Sequence, residues 1–87
     1  MAEYALQIKP SAQKEMDSLE TPVLRRIDAK ILGLANDPRP SGSKKLRGFG
    51  SYWRVRVGDY RVVYLIDDQK REVVITRVAH RREVYER

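Results

Sequence analysis

An α+β fold is predicted by three observations in this chain of 87 residues. An opening segment alternates apolar and polar residues, a middle stretch repeats apolar residues at helical spacing, and the C-terminal half returns to alternation around a two-residue Gly58-Asp59 turn. The expected architecture is an N-terminal strand, a helical hairpin and a three-stranded antiparallel meander. Together they form one antiparallel-rich sheet, with the helices packed on one face. Residues 1–87 read as a single domain, because neither side of the central loop holds enough apolar residues for a core of its own.

Each element has its own signal. Tyr4, Leu6 and Ile8 alternate with Ala5, Gln7 and Lys9, which predicts a strand ending at Pro10. Ser11 is expected to cap a short helix whose stripe is Ala12, Met16 and Leu19. Thr21-Pro22 reads as a second start, an N-cap followed by proline at the first helical position. Val23, Leu24, Ile27, Ile31, Leu34 and Ala35 follow at helical spacing, and Asn36-Asp37-Pro38 stops the helix. Pro38 to Gly50 is rich in Pro, Gly, Ser and Lys and reads as a surface loop with no element of its own. Hairpin strands are expected at Tyr52 to Val57 and Tyr60 to Ile66. Asp67 to Lys70 forms a polar turn, in which Asp67 and Asp68 act as turn formers rather than metal ligands. Val73 to Val78 is a last β-branched strand, and His80 to Arg87 is a short helical turn or an irregular end.

The hairpin register sorts side chains by face. With Gly58 at the first central position of a type II′ turn, Arg56 lies opposite Arg61. Trp53, Val55, Val57, Tyr60, Val62, Tyr64 and Ile66 share an apolar face that packs on the helices, while Arg54, Arg56, Arg61, Val63 and Leu65 share the other. Opposed like charges destabilise a sheet, so their presence points to a bound polyanion. Val63 and Leu65 either lie half-buried under a loop or form part of a docking surface for a partner segment.

Charge is unevenly distributed. Residues 1–43 carry six basic and six acidic groups, so the whole net charge of +6 belongs to residues 44–87, where twelve Lys and Arg face six Asp and Glu. Such a surface attracts nucleic acid, an acidic protein or a phosphorylated ligand; a solvated basic surface is the plain alternative. The absence of cysteine excludes disulfides and thiolate metal sites. No stretch has the length of a membrane span and the N-terminus lacks a signal-peptide pattern, so a cytoplasmic protein with no membrane partner is expected.

The phrases Lys45-Leu46-Arg47-Gly48, Trp53 to Tyr64, and His80-Arg81-Arg82-Glu83-Val84-Tyr85, in this order of elements, closely resemble the RelE branch of the RelE/ParE toxin superfamily. The resemblance covers essentially the whole chain. It implies a toxin with a partner antitoxin, acidic and RelB-like, and an activity in which the toxin enters the A site of the 70S ribosome and cleaves the mRNA there. Operator DNA is expected as a partner only through the antitoxin complex. Neither metal nor other cofactor is implied.

The chemistry implied is attack of the ribose 2′-hydroxyl on the adjacent phosphate, leaving a cyclic phosphate and a free 5′-hydroxyl. Arginine suits charge relief on the phosphorane, since its planar fork binds phosphate oxygens bidentately and stays charged. Arg61 takes that role. The resemblance places Arg54 and Arg56 at basic family positions, Arg81 at one suited to supporting the leaving group, and Tyr85 at a tyrosine that orients the base or helps activate the hydroxyl. Lys44, Lys45 and Arg47 are candidates for RNA backbone, as are Arg77 and Arg82. The chain departs from strongly cleaving relatives, which carry lysines where it has Arg54 and Arg56. His80 and Tyr85 are then the neutral-pH candidates for proton transfer, His80 having either that role or a structural one.

Two rival functions use the same fold. A ParE-type toxin inhibits DNA gyrase without cutting RNA, and a catalytically weak member would serve as an antitoxin partner in operator binding. The exposed basic face flanked by Val63 and Leu65 also suits an acidic amphipathic antitoxin segment that folds on binding.

Overall fold

The computed structural model describes residues 3–46, 48, 50 and 52–80. Its elements are β1 (Ala5–Ile8), α1 (Pro10–Asp17), α2 (Thr21–Leu34), β2 (Lys44–Lys45), β3 (Tyr52–Val57), β4 (Tyr60–Asp67) and β5 (Glu72–His80). The strands form one five-stranded sheet in the order β1-β5-β4-β3-β2. β1 runs parallel to β5, and the other three pairings are antiparallel. The expected antiparallel-rich α+β architecture is therefore present, and it is mixed because the helical hairpin carries the chain back across the sheet after β1.

One core holds the layers together. Ala12 and Met16 of α1 and Ile27, Ile31 and Leu34 of α2 meet Val55, Val62, Tyr64, Ile66, Val73, Ile75 and Val78 of the sheet. Trp53, Val57 and Tyr60 pack against the same cluster from the predicted apolar face. Val63 and Ala79 belong to a separate small cluster on the opposite face, which among the described residues contains no helical residue. The helices thus cover one face, as the alternation of the hairpin requires.

Both helix starts come earlier than expected, α1 by two residues and α2 by one. α1 begins at Pro10 with Lys9 as its N-cap, whose carbonyl accepts from Gln13 N–H at 2.9 Å, so Ser11 is inside the helix and does not cap it. Proline has no N–H to satisfy and its φ is already helical, which makes it the natural first residue. α2 begins at Thr21, its cap being Glu20, whose carbonyl accepts from Leu24 N–H at 2.9 Å. Neither cap residue uses its side chain.

The segment Pro38 to Gly50 was expected to hold no element, yet Lys44 pairs with Arg54 and Lys45 with Trp53 as β2. A further bond from Leu46 N–H to the Tyr52 carbonyl (2.9 Å) extends the contact. Two residues are too short to show an alternating pattern, so nothing in the sequence marks them. Asp67 does form the expected turn, its Oδ1 accepting from the backbone N–H of Gln69 and Lys70, both at 3.0 Å. Asp68 instead ion-pairs with Arg39 at 2.8 Å and accepts from the Tyr4 hydroxyl at 2.7 Å. The Arg39 hydrogen bond, supported by Tyr4, holds the Asp68 carboxyl below its ordinary range. Arg39 also lies over the Trp53 ring, 5.2 Å from its centroid, so the loop after α2 is anchored to both β3 and the β4–β5 turn.

The hairpin turn follows the type II′ pattern: Gly58 has φ of 59°, and Asp59 is not among the residues with positive φ. A Cβ at Gly58 would meet nothing within 4 Å, so only the backbone conformation resists substitution. Gly58→Ala is expected to cost about 1–2 kcal/mol, lowering Tm by about 4–16 °C at roughly 4–8 °C per kcal/mol for a domain this size. Gly58→Asn should lose less, because asparagine tolerates positive φ. Thermal unfolding of both variants checks this.

Candidate nucleic-acid interface

The sheet face away from the helices gathers cations from three adjacent strands. By register Lys44 lies opposite Arg54, Arg56 opposite Arg61, and Arg61 opposite Ala79. Alternation along β3 puts Arg54 and Arg56 on the same side. Two like-charge pairs are therefore directly opposed on one face, an arrangement unfavourable by itself by a few tenths of a kcal/mol per pair. Arg54 is only 3% exposed, Arg61 is half-buried and Arg56 is exposed. The Nε atoms of Arg54 and Arg61 are both buried, so these side chains are embedded in the face rather than waving from it. Between the arginines the face is apolar and small, with Val63 and Ala79 covered by Leu46 and Tyr52.

That covering changes the expected docking surface. Val63 is 6% exposed beneath the chain's own Leu46 and Tyr52, so the plain reading of burial holds for it. Leu65 is half-exposed and lines a groove of about 530 Å³ with Val74, Asp67, Asp68 and Glu72. An acidic antitoxin segment laid there would meet carboxylates, which makes this end of the sheet a poor electrostatic match for it.

Of the candidates on β5, His80 lies off the arginines' face, while Arg77 is on it by register. Val63 pairs with Arg77 but Tyr64 pairs with Ile75, so Thr76 is an extra residue on β5. Its hydroxyl donates to the Val63 carbonyl at 3.1 Å. This bulge shifts the parity of everything after it. His80 comes opposite Tyr60, on the core side of the sheet, with the two rings edge-on at 5.5 Å and 80°. It does not share the face of Arg56 and Arg61. Arg77 lies opposite Val63, but its guanidinium pairs with Glu15 of α1 at 3.1 Å. The other Glu15 oxygen accepts from Val78 N–H at 2.8 Å, satisfying the edge of β5 beyond the end of β1. This pairing ties Arg77 to α1.

Lys44 and Lys45 are exposed on β2, and Arg47, Arg81, Arg82 and Tyr85 lie outside the described residues. Sequence reasoning missed Tyr52 and Leu46, which roof the apolar patch, and Lys30 of α2, which reaches the same corner as Lys44, Arg54 and Arg56.

Fold and face together define a class: a small α+β domain with helices on one side of a mixed sheet and crowded arginines on the other. The sequence model of the family described as "ParE toxin of type II toxin-antitoxin system, parDE" matches residues 6–85, and the chain belongs to this family, within the RelE/ParE superfamily. Toxin RelG of Mycobacterium tuberculosis (strain ATCC 25618 / H37Rv) is 31% identical over 85 residues, covering 97% of this chain and 98% of the relative. Among solved structures, the archaeal RelE-RelB complex from Pyrococcus horikoshii OT3 has a TM-score of 0.82 at 28% identity, covering 94% of this chain and 99% of that one. The intact E. coli RelBE toxin-antitoxin complex has a TM-score of 0.79 at 28% identity, covering 97% and 99%. The protein is thus a toxin of a type II toxin-antitoxin pair. Among the described residues no helix is long and apolar enough to cross a membrane.

Proposed function

We propose that this toxin is a ribosome-dependent, metal-independent mRNA endoribonuclease acting in the A site of the 70S ribosome. The observation that carries the reading is the opposed Arg56–Arg61 pair, continued by Lys44–Arg54, on one sheet face. A phosphorane gathers negative charge on its equatorial oxygens, and prepositioned guanidinium groups stabilise that charge most where they cost no reorganisation. In this reading the 2′-oxygen bonds to phosphorus and the P–O5′ bond breaks. The 2′ proton passes to a base and the departing 5′-oxygen takes a proton. Arg61 and Arg56 hold the phosphate, Arg54 supports them from within the face, Arg81 assists the leaving oxygen and Tyr85 orients the base. Lys45, Arg47 and Arg82 contact RNA backbone in the ribosome. An antitoxin of the RelB type, as in the related complexes, neutralises the toxin by covering this face. Operator DNA is met only through that complex, and the toxin works in the cytoplasm.

A gyrase-inhibiting binding module is the second reading. It is favoured by the name of the matching family and by the position of His80, which leaves the arginine face without an imidazole among the described residues. One experiment separates the two. Purified toxin added to programmed ribosomes is expected to cut the message in the A-site codon, and a 2′-deoxy substitution at the scissile nucleotide is expected to abolish the cut. Supercoiling by gyrase should proceed normally. Intact message together with inhibited supercoiling would establish the second reading instead.

A further inference from the structure

A cleft of about 280 Å³ opens where β2 leaves the edge of β3, with Lys30, Ser41, Lys44, Arg54 and Arg56 in its walls. β2 pairs only with Trp53 and Arg54, so the cleft runs along the outer edge of β3 beyond that pairing. Lys30 comes from α2, on the core side, and Lys44 and Arg56 from the outer face. Cations from both layers of the molecule converge on one opening.

Three arginines elsewhere in the fold have carboxylate partners: Arg39 with Asp68, Arg71 with Glu3 and Arg77 with Glu15. Among the described residues, none of Lys30, Lys44 and Arg56 is in an ion pair. Lys30 also has no acid three or four positions away on its helix, where Arg26, Ile27, Gly33 and Leu34 stand. A surface lysine would ordinarily be solvated in isolation; here it adds a like charge to three others around an opening whose walls also hold Ser41, Gly42 and Val55. The cluster suits a hydrated phosphodiester, which needs charge and several donors.

We propose that this cleft is a second phosphate subsite, holding a backbone phosphodiester of an RNA strand next to the one held by Arg56 and Arg61, with Lys30 as its defining residue. The inference rests on the nuclease reading. Arg56 borders both subsites, so a strand can pass from the arginine face over the edge of β3 without losing contact with positive charge. Lys30 is a binding residue in this scheme and touches no reacting atom.

The test measures the salt dependence of RNA binding for wild type, Lys30→Gln and Lys30→Arg, using two probes: a short single-stranded 2′-O-methyl RNA that cannot be cut, and vacant 70S ribosomes. Glutamine keeps helix propensity at this half-exposed site, and thermal unfolding confirms the fold. Lys30→Gln is expected to reduce the magnitude of the log–log salt slope by about 0.7 with the single strand. Lys30→Arg is expected to preserve the slope. A reduction with the ribosome probe alone would assign the phosphate to ribosomal RNA and overturn the subsite as part of the message's path. Slopes unchanged by Lys30→Gln in both arms, while Arg56→Gln lowers them, would overturn the subsite and leave the nuclease reading standing. A loss of antitoxin capture by Lys30→Gln with RNA slopes intact would also overturn it, in favour of an acidic peptide. Wild-type protein that binds neither RNA would overturn subsite and nuclease reading together.

Discussion

Arg61→Ala is expected to lower the single-turnover rate of A-site cleavage by about 10²–10³-fold, as removal of one prepositioned donor to a developing oxyanion does elsewhere. The position of Arg61 explains the size of the effect. It sits on β4 with β3 and β5 on either side, opposite Arg56 and Ala79, so its backbone is fixed by pairing on both edges. Its Nε is buried, which limits the directions its fork can take. A guanidinium held this way meets charge that exists only in the transition state, so kcat should fall while ribosome affinity changes little. Arg61→Lys is expected to recover only part of the loss, because an ammonium cannot reproduce two parallel hydrogen bonds. Folding should be nearly unaffected: losing the packed stem costs something, and removing a charge opposed to Arg56 returns part of it. A net change within about 1 kcal/mol corresponds to a Tm shift below about 8 °C. Retention of most of the wild-type cleavage rate by a folded Arg61→Ala protein would remove Arg61 from the site.

The hairpin was readable because two independent signals agree there. Alternation assigns faces, and Gly58-Asp59 fixes the register, so the Arg56–Arg61 opposition and the apolar face from Trp53 to Ile66 follow from the sequence. The helical stripes were equally plain, since Ile27, Ile31 and Leu34 recur at one-turn spacing and all reach the core. What stayed hidden depends on long-range pairing. β2 has two residues and no pattern, and its partners are known only once β3 is in place. The bulge at Thr76 has no residue signature, yet it reverses parity and sends His80 to the core side, away from the arginines. Arg77 looked like another free cation on its strand, because the sequence does not show that α1 brings Glu15 to it. Lys30 was overlooked for the reverse reason. On a helical wheel it belongs to the polar side of α2, and only the crossing of α2 over the edge of β3 makes it a neighbour of Arg54 and Arg56.

Tyr64 carries the largest expected effect on stability. It is fully buried on β4, paired with Trp53 on one side and Ile75 on the other, and its hydroxyl donates to the Pro38 carbonyl at 2.8 Å. The ring fills the core between sheet and helices, while the hydroxyl ties down the start of the segment that leads to Lys44. Tyr64→Ala is expected to cost about 3–5 kcal/mol, a large share of the roughly 4–13 kcal/mol available to a domain of this length. Tyr64→Phe keeps the ring but leaves a buried carbonyl unsatisfied, at about 1–3 kcal/mol, or a Tm fall of about 4–24 °C. The pH dependence separates the buried hydroxyl from the packing of the ring. Burial pushes the Tyr64 phenol up to about 12, against about 10 in the unfolded chain. A raised folded-state pKa means that the contribution is fully present below pH 10 and is lost as pH climbs toward 12. The stability gap between wild type and Tyr64→Phe should therefore be constant from neutral pH to about 9 and narrow above 10. A gap that stays level to pH 12 in denaturant titrations would show that the hydroxyl contributes no protonation-linked stability. Because the Pro38 bond anchors the segment leading to β2, Tyr64→Phe should also lower RNA affinity through Lys44, without touching the arginines of β3 and β4.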